Sequence, residues 1–321
     1  MKFLSLVFLL WALSWPFRTD AQSTDLGPLL ATDEIHLAVQ NIAHQLEDNY
    51  LFSEKAKAAA TLLRAKLRAG VFDGQYDFLL LNLQISAMLA QSTNDSGFEL
   101  LQQSAISLTG GQQQLASPSP HQHDEFVTGI LDRNIGYVRI SGNFNYPDSH
   151  ELIARQFRLL SGADALIIDL RQADEATIAV ARQMISYFVQ PGTTIANLQL
   201  KDHVEPITTS NTADVQPFKQ DLPLYIVNSA FVAGSWEFLG YTLQHFDKAV
   251  IVGEQTMGVG YLSRAFKVSD SLAIRMNHAL ITHPISGAHW DMEGVVPDYF
   301  YASADAFDQA YQLALAQLRA Q

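Results

Sequence analysis

The feature that most limits what this chain can fold into is the stretch LYIVNSAFVAGSWEFLGYTLQHFDKAVIVGEQTMGVG, residues 224–260. An apolar run, Leu224 to Val227, is followed by small residues, then by an amphipathic segment from Trp236 to Phe246, then by a second apolar run, Ala249 to Val252. Short apolar runs bounded by turn residues read as buried strands, and the segment between them has helical spacing. The order is strand, sharp turn, helix, strand. Backbone N–H groups at a helix start lack intrahelical partners and can bind an anion, and a side chain mounted on that turn stands clear of the sheet.

The flanking sequence supplies partners for such a unit. Residues 30–98 read as a small helical bundle. Ile35, Val39, Ile42 and Leu46 share one helical face that ends near Asn49 and Tyr50. Ser53 is placed to cap a second helix through KAKAAATLLRAKLRA, closed by Gly70, and Phe78 to Leu89 forms a third. Residues 99–128, with GGQQQLASPSPHQH at their centre, have the composition of an exposed connector in which His121 and His123 are solvated. From residue 129 to 321 the pattern alternates: IGYVRI, a helix from about Asp148 to Leu160, the buried strand ALIIDL, and a helix from Glu175 to Phe188. After the central turn come LSRAFKV and LAIRMN, both alternating in period two, an irregular approach to Trp290, and a helix from Ala304 to Leu318. Repeated strand–helix units imply an α/β core with a largely parallel sheet.

The first residues, MKFLSLVFLLWALSWPFRTDAQS, read as an export leader, residues 1–21, with a cut after Ala21; an uncleaved anchor is the alternative, because Trp15-Pro16-Phe17-Arg18 is a poor approach to a cleavage site. The reading is therefore of a secreted or periplasmic protein with no membrane span in the mature chain. There is no cysteine, which excludes disulfides, thiol catalysis and cysteine–zinc sites. The formal net charge is −13, one unit more negative once Lys2, Arg18 and Asp20 leave with the leader. Such a surface repels nucleic acid and anionic lipid. The histidines form no helical metal-binding pair, so neither a metal nor another cofactor is expected.

Four patches give the chain a family likeness: the tyrosine-containing end of the first helix; IGYVRI; Asp169-Leu170-Arg171 after a buried strand, with Ser186-Tyr187-Phe188 ending the next helix; and Gly253-Glu254-x-Thr256-x-Gly258 with the late HWDMEGVVPD. In this order they resemble the tail-specific (carboxy-terminal-processing) serine peptidase family, and the helical amino-terminal part resembles its interphotoreceptor retinoid-binding protein branch. The resemblance implies a crotonase/ClpP-like spiral α/β core preceded by the small helical bundle, and a polypeptide as substrate or partner. The connector is too short to hold the PDZ module of some members.

The family's catalytic pattern is Ser-x-x-Glu opening a helix. Glu237 matches the glutamate, Gly234 stands at the position of the family nucleophile, and a serine follows at once, Ser235. The resemblance also implies a base: a lysine in Thr-x-Gly-Lys-Gly, where this chain has Val259, or a histidine in Asp-Gly-His, where it has Asp95-Ser96-Gly97-Phe98. Glycines that would follow Asp-Leu-Arg to open an oxyanion hole are replaced by Gln172-Ala173-Asp174-Glu175. The family's late acid corresponds to Asp291 or Glu293.

Two readings of the turn stay open. Ser235 is a nucleophile on a turn shifted by one residue, served by His245, His283 or His289, or it merely begins the helix, with Gly234 at the cap and Glu237 at the third position. Ser229 sits at a strand end and is not a nucleophile. Asp169 and Arg171 read as a strand-end pair that pins a loop, and Trp290 and Tyr187 as core. The functional expectation is an exported homologue that binds extended or carboxy-terminal polypeptide in the old substrate cleft. The alternatives are an active serine endopeptidase using Ser235 and a carrier of small apolar ligands.

If the leader is cut as read, mass spectrometry of the protein from its native host gives a chain beginning near Gln22. An intact residue 1 refutes that reading.

Overall fold

The computed structural model describes residues 27–102, 125–210 and 217–320. The expected leader and the middle of the expected connector, with His121 and His123, lie outside them. The chain opens with β1 (Leu29–Leu30), α1 (Thr32–Asn49), α2 (Ser53–Arg68), β2 (Tyr76–Asp77) and α3 (Phe78–Thr93), with β1 and β2 antiparallel. Ile35, Val39, Ile42 and Leu46 are fully buried, as their spacing requires. Ser53 is not the cap of α2: Phe52 holds that position and no side chain caps the end. The entry angle is set instead by the backbone, because Leu51 N–H donates to Asn277 O across to the later part of the chain. Gly70, at φ +72°, does end α2, with Val71 N–H returning to Lys66 O.

The strands follow as β3 (Glu99–Gln102), β4 (Glu125–Leu131), β5 (Ile135–Phe144), β6 (Ala165–Ala176), β7 (Thr194–Leu200), β8 (Val204–Thr208), β9 (Leu224–Asn228), β10 (Val250–Gly253), β11 (Tyr261–Lys267), β12 (Leu272–Thr282) and β13 (Tyr299–Phe300); α4 (Ser149–Leu159), α5 (Ile178–Ser186), α6 (Ser235–His245) and α7 (Ser303–Ala320) complete the set. The main sheet has the order β13-β10-β9-β6-β5-β4 and is parallel except for the β4–β5 pair. Both faces are covered. Leu166, Ile168 and Leu170 of β6 and Leu224 and Ile226 of β9 face one core with α4, α5 and α6, whereas Ala165, Ile167, Tyr225 and Val227 face α7. A strand buried on both sides must be apolar at every position, which is why these runs lack period-two polarity.

The second sheet, β11-β12-β7-β8 with β3 also on β12, is antiparallel. The helical bundle closes on it: Leu272, Ile274 and Met276 of β12 share one buried cluster with Ile42, Leu63, Ile85 and Leu100. Residues 99–102 and 125–128, read as connector, are therefore strands at its two ends. The helix expected from Glu175 begins at Ile178, because β6 continues to Ala176 along Ser141–Phe144 of β5.

Ala306, Ala310 and Ala314 of α7 are fully buried against the main sheet, leaving no room for larger side chains. Ala310→Leu should lower stability by about 1–3 kcal/mol in urea unfolding, whereas Leu159→Ala, on an exposed face, should change it by less than about 0.5 kcal/mol. Equal effects would contradict this packing.

Candidate functional site

Between β9 and α6 the chain turns through Ser229–Gly234. Val232 N–H donates to Ser229 O (3.2 Å) and Trp236 N–H to Ala233 O (3.2 Å), so the turn tightens before the helix begins. Gly234 is the helix cap at φ +58°, ψ −116°, a conformation that side-chain-bearing residues adopt only under strain. Its N–H donates to Glu237 Oε2 (2.9 Å), the carboxylate at the third helical position reaching back over the cap.

Glu237 is fully buried. Besides Gly234 it accepts hydrogen bonds from Thr256 Oγ1 (2.5 Å), Gly258 N–H (2.6 Å) and Val259 N–H (2.8 Å). A buried carboxylate is costly unless donors surround it, and here four do. The same contacts hold the 254–260 loop against the turn. A third loop joins them: Val295 N–H donates to Thr256 Oγ1 (2.7 Å), Met292 N–H to Gly258 O (2.9 Å) and Trp290 Nε1 to Val259 O (3.1 Å). Gly294, at φ +78°, allows this approach, since a Cβ there would lie 2.2 Å from Thr256 O.

A Cβ placed on Gly234 meets no atom within 4 Å, so a side chain on this turn would enter open space. Ser235 is the first residue of α6, and its hydroxyl donates to Ala176 O (2.7 Å) at the end of β6. His245 Nδ1 donates to Tyr241 O (2.9 Å), His283 Nδ1 accepts from Ser286 N–H (3.2 Å), and His289 Nδ1 accepts from Asp291 N–H (3.2 Å). Among the described residues no histidine hydrogen-bonds to Ser235. Asp291 Oδ1 accepts from Gly260 N–H (3.1 Å), and burial pushes its carboxyl above the usual carboxylate range. Glu293 is exposed.

The stretch at Asp95 is built into the fold. Tyr50 Oη donates to Asp95 Oδ2 (2.8 Å), Asn277 Nδ2 reaches both carboxylate oxygens at 3.1 Å, and Phe98 is buried in the helical core. Burial and the Asp95 carboxylate push the Tyr50 phenol well above its ordinary value. Arg171 grips Asp169 with two bonds (2.9 and 2.7 Å) and donates through Nη1 to Ser303 O (2.5 Å); the pair lies inside β6 and not at a strand end, and it ties the middle of that strand to the start of α7. Burial and the neighbouring Asp169 push the Tyr137 phenol up to about 12. Gln172 to Ala176 are strand paired along β5, not a glycine loop.

Around Gly234 the surface is apolar: Phe231, Met257, Val259 and Met292 are 83%, 57%, 42% and 88% exposed. Sequence reasoning passed over this rim, and gave Thr256 only as part of a family pattern, without its role as the hydroxyl that bridges Glu237 and the 290–295 loop. The Thr-x-Gly pattern was the available signal. Among the described residues no group of three or more His, Asp, Glu or Cys is placed to hold a metal ion, and no helix is long and apolar enough to cross a membrane.

The model of peptidase family S41 matches residues 134–300. A carboxyl-terminal-processing protease of Synechocystis sp. is 27% identical over 186 residues, covering 57% of this chain and 40% of that protein. One from Picosynechococcus sp. is 26% identical over 167 residues, covering 51% and 38%. The chain thus spans about two-fifths of the length of these relatives. The photosystem II D1 C-terminal processing protease superposes with a TM-score of 0.64 at 15% identity, covering 84% of this chain and 93% of that one, which is a likeness of fold.

Glu237→Gln puts an amide NH₂ against backbone N–H groups. It should cost about 2–3 kcal/mol in urea unfolding and speed hydrogen exchange at Gly258 and Val259. Unchanged stability and exchange would show that the carboxylate does not hold the loops.

Proposed function

We propose that this chain, which belongs to peptidase family S41, is an exported member that keeps the frame of the peptidase site without its reacting groups and binds extended polypeptide there. The observation that carries this reading is Gly234. The turn retains the strained geometry of a nucleophile mount and the side-chain space, but the residue there has no side chain to react. The nearest hydroxyl, on Ser235, is spent on Ala176 O, and Val259 stands where the resemblance implies the lysine base.

Acyl transfer by serine needs a base to take its proton and donors for the oxyanion. The continuation of β6 to Ala176 leaves no glycine loop after Arg171 to supply a donor. The apolar rim remains, and its relatives bear the names of proteases that process carboxyl termini, so a polypeptide is the ligand class the site favours. Export rests on the leader-like start alone.

A positioned base contributes about 10²–10⁴-fold and an oxyanion donor about 10²–10³-fold, without simple additivity. Gly234→Ser alone should therefore stay near background on unstructured polypeptide, and should lower stability by about 1–3 kcal/mol because serine is strained at this φ. Adding Val259→Lys, at a half-exposed position whose N–H keeps its bond to Glu237, should give the first detectable cleavage. The unmodified protein should not be labelled by a fluorophosphonate. If it cleaves polypeptide and Ser235→Ala abolishes the activity, Ser235 is the nucleophile and the proposal is wrong.

A further inference from the structure

The loops that carry the exposed apolar residues are joined by backbone hydrogen bonds. Met257 N–H donates to Val232 O, beside Phe231, and Met292 N–H donates to Gly258 O, between Met257 and Val259. Apolar side chains held in water by so rigid a set of loops mark a contact surface. What they contact is constrained by charge. Residues 229–237, 253–262 and 283–298 contain no lysine or arginine.

Carboxylates punctuate the same rim. Glu254 accepts from Ala230 N–H (3.1 Å) beside Phe231, Asp291 accepts from Gly260 N–H beside Val259, and Glu293 follows Met292. None of the three pairs with a lysine or arginine among the described residues. Behind them Asp95 is held by the neutral donors Tyr50 and Asn277 and adds to the field at Asp291. The whole chain carries a formal net charge of −13.

We infer that this rim docks a polypeptide segment in which apolar side chains alternate with lysine or arginine. The inference rests on the polypeptide-binding reading above and adds the class of sequence. Apolar side chains of the ligand cover Phe231, Met257, Val259 and Met292, and the two methionines adapt to varied shapes. Its cations face Glu254, Asp291 and Glu293. A cation beside Asp291 also relieves the cost of keeping that half-buried carboxylate ionised. An acidic segment meets like charges with no lysine or arginine to offset them, and a second copy of this chain brings the same three acids against themselves. Rim charges act chiefly on the association rate and on salt sensitivity.

Fluorescence anisotropy of the full chain with three short labelled peptides of equal length tests this. All carry the same apolar residues, spaced by Lys and Arg in one, by Ser and Gln in the second and by Glu in the third. The cationic peptide should bind about tenfold or more tighter than the neutral one, and the acidic one weakest, with the advantage largely lost between about 50 and about 500 mM salt. Asp291→Asn with Glu293→Gln should cut the ratio of cationic to neutral affinity several-fold. Phe231→Ser with Met292→Ser should weaken all binding while circular dichroism stays native. Equal affinity for the three peptides overturns the charge inference and leaves polypeptide binding standing. Binding of none of them overturns both, and sedimentation then shows whether a second copy covers the rim.

Discussion

The site depends on one buried carboxylate. Glu237 sits at the start of α6 with no exposed surface and draws four donors from two loops, one of them the N–H of the cap itself. Because an unpaired charge at that depth would be untenable, the contacts come as a set: losing one loop would leave the charge short of donors and loosen the other. Thr256 extends the set to the 290–295 loop, and Trp290 closes it from the far side. Three segments distant in sequence thus behave as one rigid platform, standing on the parallel edges of β9 and β10.

Much of this platform was legible in the chain. The strand–turn–helix–strand order at 224–253 followed from apolar runs separated by a helical period, and Glu237 as the carboxylate at the third position followed from capping chemistry. Its reach to Thr256, Gly258 and Val259, 19 to 22 residues away, was not legible, because the path between them depends on how far β10 carries the chain. The tail of β6 was misread for a related reason. Gln172 to Ala176 are small, polar or acidic, with poor strand propensity, yet they pair along Ser141–Phe144 because the neighbouring strand is already in place. Ser53 looked like a cap because serine prefers that role, but the Leu51–Asn277 backbone bond decides where α2 starts. Tertiary pairing overrode local preference in each case.

At Gly234 the shape of the turn does not depend on any side chain mounted there. A serine at φ +58°, ψ −116° would hold strain that only the surrounding structure can offset, and glycine at the same place removes that strain without disturbing any bond of the turn. The bonds to Glu237 come from backbone N–H groups and from Thr256, none of which depends on the side chain at 234 or 259. The platform's geometry is therefore independent of the groups that would react on it. Glycine at 234 is therefore relaxed where a serine would be strained, and the turn keeps its bonds.

Valine at position 259 also bears on the electrostatics of the rim. The three loops carry no lysine or arginine, and burial together with the Asp95 carboxylate raises the Asp291 carboxyl against the counter-effect of the Gly260 N–H and His289. An acidic rim that cannot neutralise itself favours whatever brings cations to it, and the surrounding apolar side chains favour a ligand that can also bury carbon. An uncharged side chain at position 259 thus suits the proposed recognition of a cationic ligand. The Glu237 network holds the loops that carry these acids and apolar side chains in one arrangement.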